Sequence, residues 1–272
     1  RRPKDTQEIL SFLNETLPKQ LKWSRVFRSK LFRFGGLFAL ILTLVLGYHF
    51  GRLFLAQQSY QTGLEQVRLN QLVLGRKSFE QSLSFHSTED VHTNLAFLCD
   101  RLNDADCALK HFQQAVQLNP NTYPPYLNLG SHYEDRGDDV KAISTYRKAV
   151  EVSGRSATEP LNNLARLLIL TGQYAEAKKL LKQALSLKVN ESDFSRAISL
   201  KNLGWVLLQQ KDHNAAQKTL NQAIALESQV ASSHCLLAQV LEARKQPANA
   251  EWRSCLSIQS EDTANSEYSL WH

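Results

Sequence analysis

Four asparagines, Asn94, Asn128, Asn163 and Asn202, recur at intervals of about 34 to 39 residues, each one place ahead of a leucine. A carboxamide offers a donor and an acceptor together, the pair needed to hold the backbone of an extended polypeptide. Leu236 breaks the row one interval later. Two positions beyond each leucine stand Phe97, Ser131, Arg166, Trp205 and Gln239, which should project beside the asparagines. Phe97 and Trp205 are of the aromatic type that anchors interfaces, and Arg166 with Lys201 forms a cationic pair suited to an acidic group. The plainer reading of the asparagines is a solvated helix face. Asn is a mediocre helix former, however, so four in register favour use.

Other chemistry is sparse. The four cysteines are Cys99, Cys107, Cys235 and Cys255. Disulfides within each pair are open to them if this region lies outside the cytoplasm. Small apolar core positions for Cys99 and Cys255 are the favoured reading. No C-x-x-C pair or His/Cys cluster suggests zinc. The eight histidines are scattered, and H-E-x-x-H, G-x-S-x-G and phosphate-cradling glycine loops are missing from the sequence. Asp104, Asp106, Asp138 and Asp139 precede helical patterns, where acids cap helices rather than transfer protons. The expectation is a chain without catalytic activity or a small-molecule cofactor.

The elements that must carry these residues are read most clearly between Tyr123 and Ser156. Tyr126, Leu129, Gly130 and Tyr133 share one face of a first helix, Gly137 marks a turn, and Ala142, Tyr146 and Ala149 share one face of a second. The same register appears upstream in Leu95, Ala96, Cys99, Ala108, Phe112, Ala115 and Pro120. Downstream it returns in Leu164, Ala165, Leu168, Gly172, Ala177, Leu181 and Ala184. A further set is Leu203, Gly204, Leu207, Ala216, Leu220 and Ala223, after about five extra residues placed around Val189 to Ser195. The last is Leu237, Ala238, Leu241, Ala248, Trp252 and Cys255, its turn shortened at Lys245 to Pro247. This pattern of small and aromatic residues resembles the tetratricopeptide repeat. The resemblance implies five helical hairpins over residues 89–262 and a groove lined by their first helices. Gly63, Gly75, Phe79 and Ser82 suggest an earlier, degenerate copy over 56–88. The fold class expected is all-α: a tetratricopeptide hairpin solenoid preceded by a single transmembrane helix. Some members of that family clamp a peptide's terminal carboxylates with Lys, Asn and Arg, a pattern not reproduced here.

The net charge of +6 is confined to one end. Residues 1–55 hold ten Lys/Arg against three Asp/Glu, a balance of +7, which leaves −1 for the rest. A near-neutral solenoid is a poor partner for nucleic acid. Phe34 to Gly51 is uncharged and, at about 1.5 Å per residue, spans roughly 27 Å, close to a bilayer core of about 30 Å. A transmembrane helix is therefore expected over 34–55, with the bilayer as a partner. Lys19, Lys22, Arg25, Arg28, Lys30 and Arg33 fall in a basic juxtamembrane segment over 18–33, and Arg52 follows the span. The positive-inside rule then puts the N-terminus in the cytoplasm and the repeats on the extracytoplasmic, periplasmic side. Tyr60, Gly63, Leu64 and Val67 could continue the span stiffly into the degenerate repeat.

Residues 1–17 read as a capped helix, with Asp5 to Glu8 at capping-box spacing, a stripe of Ile9, Leu10, Leu13 and Leu17, and Pro18 as its stop. Arg2-Pro3, Glu8-Ile9-Leu10 and Leu13 resemble the last helix of a eukaryotic-type serine/threonine protein kinase domain, in the order seen in bacterial receptor-like kinases. That resemblance implies a structural role for Arg2 and a catalytic domain upstream of Arg1, and the absence of any Met leads to the expectation that some segment precedes Arg1. The tail, 263–272, fits either a short capping helix or disorder. The function expected is a membrane-anchored module that binds a protein or peptide, as the sensor or scaffold part of such a kinase. The alternative is a stand-alone scaffold or assembly factor for membrane complexes.

Overall fold

The computed structural model describes residues 38–187 and 192–265, the side chains as far as residue 258. The segments expected at 1–17 and 18–33, the start of the span, and part of the insertion near Val189 lie outside the described residues. Twelve helices and no strand occur among the described residues, in two compact units, one ending at Ser87 and one starting at Thr88.

Among the described residues, the first unit is a hairpin with one long arm. Helix α1, Phe38–Arg68, runs unbroken for 31 residues and is apolar and long enough to cross a membrane. Its first part is bare, with Phe38, Leu44, Tyr48 and Phe50 all exposed. Its second part packs on α2, Leu72–Phe85, burying Ser59, Gly63 and Val67 against Phe79 and Ser82. A Cβ at Gly63 would lie 2.6 Å from the Phe79 ring, so only glycine admits this approach. Ser82 donates to the Ala56 carbonyl at 2.8 Å. The hairpin therefore begins inside the 34–55 segment expected to be all membrane, since Arg52 already reaches the Phe85 carbonyl at 2.6 Å.

The second unit holds five hairpins: α3 (Glu89–Arg101) with α4 (Ala105–Leu118), α5 (Pro124–Asp135) with α6 (Asp139–Val152), α7 (Thr158–Leu170) with α8 (Tyr174–Ser186), α9 (Asp193–Gln209) with α10 (His213–Leu226), and α11 (Ala231–Ala243) with α12 (Asn249–Asn265). Each is closed by the same turn. Asn103, Gly137, Gly172, Lys211 and Lys245 all take positive φ, as Asn70 does in the first unit. The following amide returns to the carbonyl five residues back, as in Asp138 N to Tyr133 O at 2.9 Å, which satisfies a helix-end acceptor. Asp104, Asp138 and Asp212 then cap the second helices by accepting from the amides of Cys107, Lys141 and Ala215.

Packing inside each hairpin sets a small residue against a large one. Gly130 lies under Tyr146 and Gly204 under Leu220, with no room for a Cβ in either case, while Ala96, Phe112, Ala165 and Leu181 are also buried. Successive hairpins stack in sequence order, and first helices touch first helices at α3–α5, α7–α9 and α9–α11. The extra residues expected near Val189 to Ser195 fall partly in helix. Helix α9 has 17 residues where α7 and α11 have 13, and Ser192 caps its added turn. Helix α12 also continues to Asn265, beyond the expected end at 262.

Candidate protein-binding face

A first helix shows its second helix the small residue and shows solvent the positions on either side of it, so the row of first helices is where the candidate residues must be sought. On α3, Phe97 is 39% exposed and meets Phe112 edge-on at 5.2 Å, an aromatic held in place from below. Asn94 donates to its own helix at Asp90 O. On α5, Asn128 is half-buried and Ser131 exposed; on α7, Asn163 and Arg166 are half-buried. On α9, Lys201 and Trp205 are half-buried, and Trp205 packs between the core around Leu164 and Leu181 and the core around Leu207 and Leu236.

The asparagine row is not uniform. Asn202 is only 1% exposed and its Oδ1 has no hydrogen-bond partner, so it cannot serve as a surface rung in this arrangement. Asn94, Asn128 and Asn163, at the same register, keep access to solvent. Arg166 departs from expectation too. Its guanidinium already donates to Glu134 of α5 at 2.6 Å, and the same carboxylate accepts from the Tyr146 hydroxyl at 3.0 Å. Burial and that carboxylate push the Tyr146 phenol well above its ordinary range.

Lys201 is the residue the arrangement leaves free. No carboxylate pairs with it among the described residues. Burial first, and the Arg166 charge second, lower its ammonium to about 8. A desolvated cation beside a second cation, on a face that holds an exposed aromatic, favours an incoming carboxylate.

Glu134 was missed as a partner, although an acid near the end of one first helix and a base on the next was a readable signal. So was Asp100, which receives His132 Nδ1 at 3.1 Å and Arg136 at 3.0 Å from the following hairpin. Asn162, next to the surface Asn163, is instead buried and donates to Ser199 of α9 at 2.9 Å. These polar links tie first helix to first helix and keep the row in register. The cysteines also go further than expected. Cys99 and Cys255 do occupy buried core positions, and both are bonded, to Cys107 and Cys235.

Stacked hairpins with a small-against-large seam, left-handed turns and a continuous row of first helices define a helical-repeat protein. Family profiles described as tetratricopeptide repeat match residues 89–122, 121–188, 156–228 and 201–266. Together they cover more than half of the chain, which belongs to the tetratricopeptide repeat family. Among curated proteins it is similar to small glutamine-rich tetratricopeptide repeat-containing protein 2 of Saccharomyces cerevisiae, 27% identical over 39% of this chain and 28% of that protein. It is also similar to tetratricopeptide repeat protein 21A of Mus musculus, 29% identical over 47% of this chain and 10% of that protein. The chain thus spans less than a third of either relative. Among solved structures it resembles the Cut9-Hcn1 heterotetramer of APC/C, with TM-score 0.62 and 22% identity, covering 78% of this chain and 42% of that one. The pilF protein of Pseudomonas aeruginosa matches with TM-score 0.58 and 15% identity, covering 81% of this chain and 96% of that one. Such identities carry the fold and nothing finer.

Proposed function

We propose that this chain is a membrane-anchored tetratricopeptide module that captures a protein or peptide segment along its first helices, with an acidic group of that segment received at Lys201. The observation that carries this reading is the desolvated, unpaired Lys201 on the same face as Phe97, Trp205, Asn128 and Asn163. Arg166 contributes long-range charge rather than a free fork, because Glu134 occupies it.

The bare apolar half of α1 supports a single-pass anchor. Two features support placing the repeats on the extracytoplasmic side. One is the basic run before the span, with Arg52 after it. The other is the pair of disulfides, which persist only in an oxidising compartment. The Arg2-Pro3 and Glu8-Ile9-Leu10 resemblance supports a serine/threonine kinase on the cytoplasmic side, for which the repeats act as sensor or scaffold.

The test is capture by variants. Asn128→Ala with Asn163→Ala, and Lys201→Met alone, should each lower partner affinity at least tenfold with helical content unchanged. Val140→Ser, on the exposed surface of a second helix, should leave affinity intact. Equal capture by all three would remove the face from consideration. Sequencing the gene upstream of Arg1 tests the kinase part separately, since a catalytic loop must be encoded there.

A further inference from the structure

Arg52 stands where α1 ceases to be bare. Before it, a Cβ at Gly47 or at Gly51 would meet nothing within 4 Å; after it, Ala56 and Ser59 are buried. The end of α2 returns to this level, and Arg52 Nη2 donates to Phe85 O at 2.6 Å, with Ser84 O at 3.4 Å. The guanidinium carbon also lies 5.8 Å from the centre of the Tyr48 ring. Between these groups lies a notch of about 550 Å³ lined by Tyr48, Gly51, Arg52, Leu55, Ser84 and Phe85, within the range of roughly 300–1,000 Å³ usual for small-molecule sites.

The chemistry of this notch is lopsided. Arg52 leaves its Nε–H and Nη1–H donors without a protein partner among the described residues, and no carboxylate is among the lining residues. A guanidinium presents a planar set of donors that matches a phosphate. On the side of the bare half of α1, Gly51 and Tyr48 line the notch and lead to the exposed Leu44, while Leu55 and Phe85 close it on the hairpin side. Tyr48 is 63% exposed and of the amphipathic type that sits at headgroup level.

We propose that the notch binds one phospholipid, its phosphate on Arg52 and the upper part of its chains along Gly51 and Tyr48 toward the bare half of α1. The proposal rests on the membrane-anchor reading. Charge complementarity identifies the phosphate, and continuity with the bare helix identifies a lipid rather than a soluble anion. Occupancy would seal the foot of the hairpin and fix the depth of α1.

The test uses the whole chain in detergent, titrated with dioleoylphosphatidylglycerol, with dioleoylglycerol, and with inorganic phosphate, and read by native mass spectrometry. Wild type should bind one phosphatidylglycerol at least tenfold more tightly than dioleoylglycerol, with no displacement by millimolar phosphate. Arg52→Ala should lose that preference. Gly51→Leu should lose the bound lipid as well, since its side chain enters the notch from an open position and glycine's cost in a helix is removed. Unaltered lipid binding by both variants overturns the proposal. Displacement of the lipid by phosphate overturns it in favour of a soluble anion. A separate sedimentation with phosphatidylglycerol vesicles after an alkaline wash reads the anchor alone. Wild type and both variants should pellet, and failure of wild type to pellet contradicts the anchor while the detergent titration still reports on the notch.

Discussion

Lys201 shows how one side chain ties stability to binding. Its ammonium, ordinarily near 10.5, is lowered to about 8. The folded state therefore holds this proton less well than the unfolded chain, and the cost of the buried cation is present in full below pH 8. The repeat unit should gain stability as pH rises from about 8 to about 10.5. Affinity for an acidic segment should fall over the start of the same range, because the neutral amine no longer attracts it. Opposite signs in denaturation and in binding are the signature. Lys201→Met should raise stability at pH 7 by about 1 kcal/mol and flatten the pH response, as a denaturant titration at several pH values can read. Lys211 is a second residue under constraint. It takes φ 60° at a turn where the first three hairpins of the unit use Asn or Gly and the fifth uses Lys245, and a left-handed residue with a Cβ costs about 1–2 kcal/mol. Lys211→Gly should stabilise the fourth hairpin by about 1 kcal/mol, visible as slower amide exchange in α9 and α10.

Among the hairpins, the small-against-large seam carries the fold, and its two glycine positions differ in tolerance. At Gly130 an added methyl would lie 2.5 Å from the Tyr146 ring, a rigid group whose hydroxyl is tied to Glu134. Gly130→Ala should therefore destabilise the second hairpin by about 1–3 kcal/mol, despite the helix propensity gained. At Gly204 the obstacle is the fully buried Leu220, met at its Cγ at 2.6 Å, an aliphatic chain that must shift but is less rigid than a ring tied by its hydroxyl. Gly204→Ala should cost clearly less, a comparison that thermal melts of the two variants can settle. This seam was legible in the sequence because Gly130, Tyr146 and their counterparts fall at fixed offsets that no other constraint disturbs. The added turn of α9 was not legible. A few extra residues between repeats read equally as loop or helix, and only the cap at Ser192 distinguishes them. The candidate face was half legible. Register placed Asn128, Asn163, Phe97 and Trp205 on it, but burial of Asn202 and the pairing of Arg166 with Glu134 depend on neighbouring helices that a single-helix pattern does not contain.

At the scale of the molecule, a stack of hairpins is as cooperative as its neighbour contacts, and the first and last hairpins of the second unit have one neighbour each within that unit. Each carries a disulfide, closing separations of 8 and 20 residues, of the kind that contributes about 2–4 kcal/mol. Reduction should therefore speed amide exchange first in α3, α4, α11 and α12, with α5 to α10 following. Uniform acceleration across the unit would mean the disulfides act elsewhere than at its ends. The central claim, that the row of first helices is the capturing face, is tested most directly by photo-crosslinking in intact cells of the source organism. A photoreactive amino acid replaces the exposed Ser131 on a first helix, or Val140 on a second. The account predicts a protein adduct from position 131 and none from 140. An adduct from 140 alone, or from neither position, would contradict it.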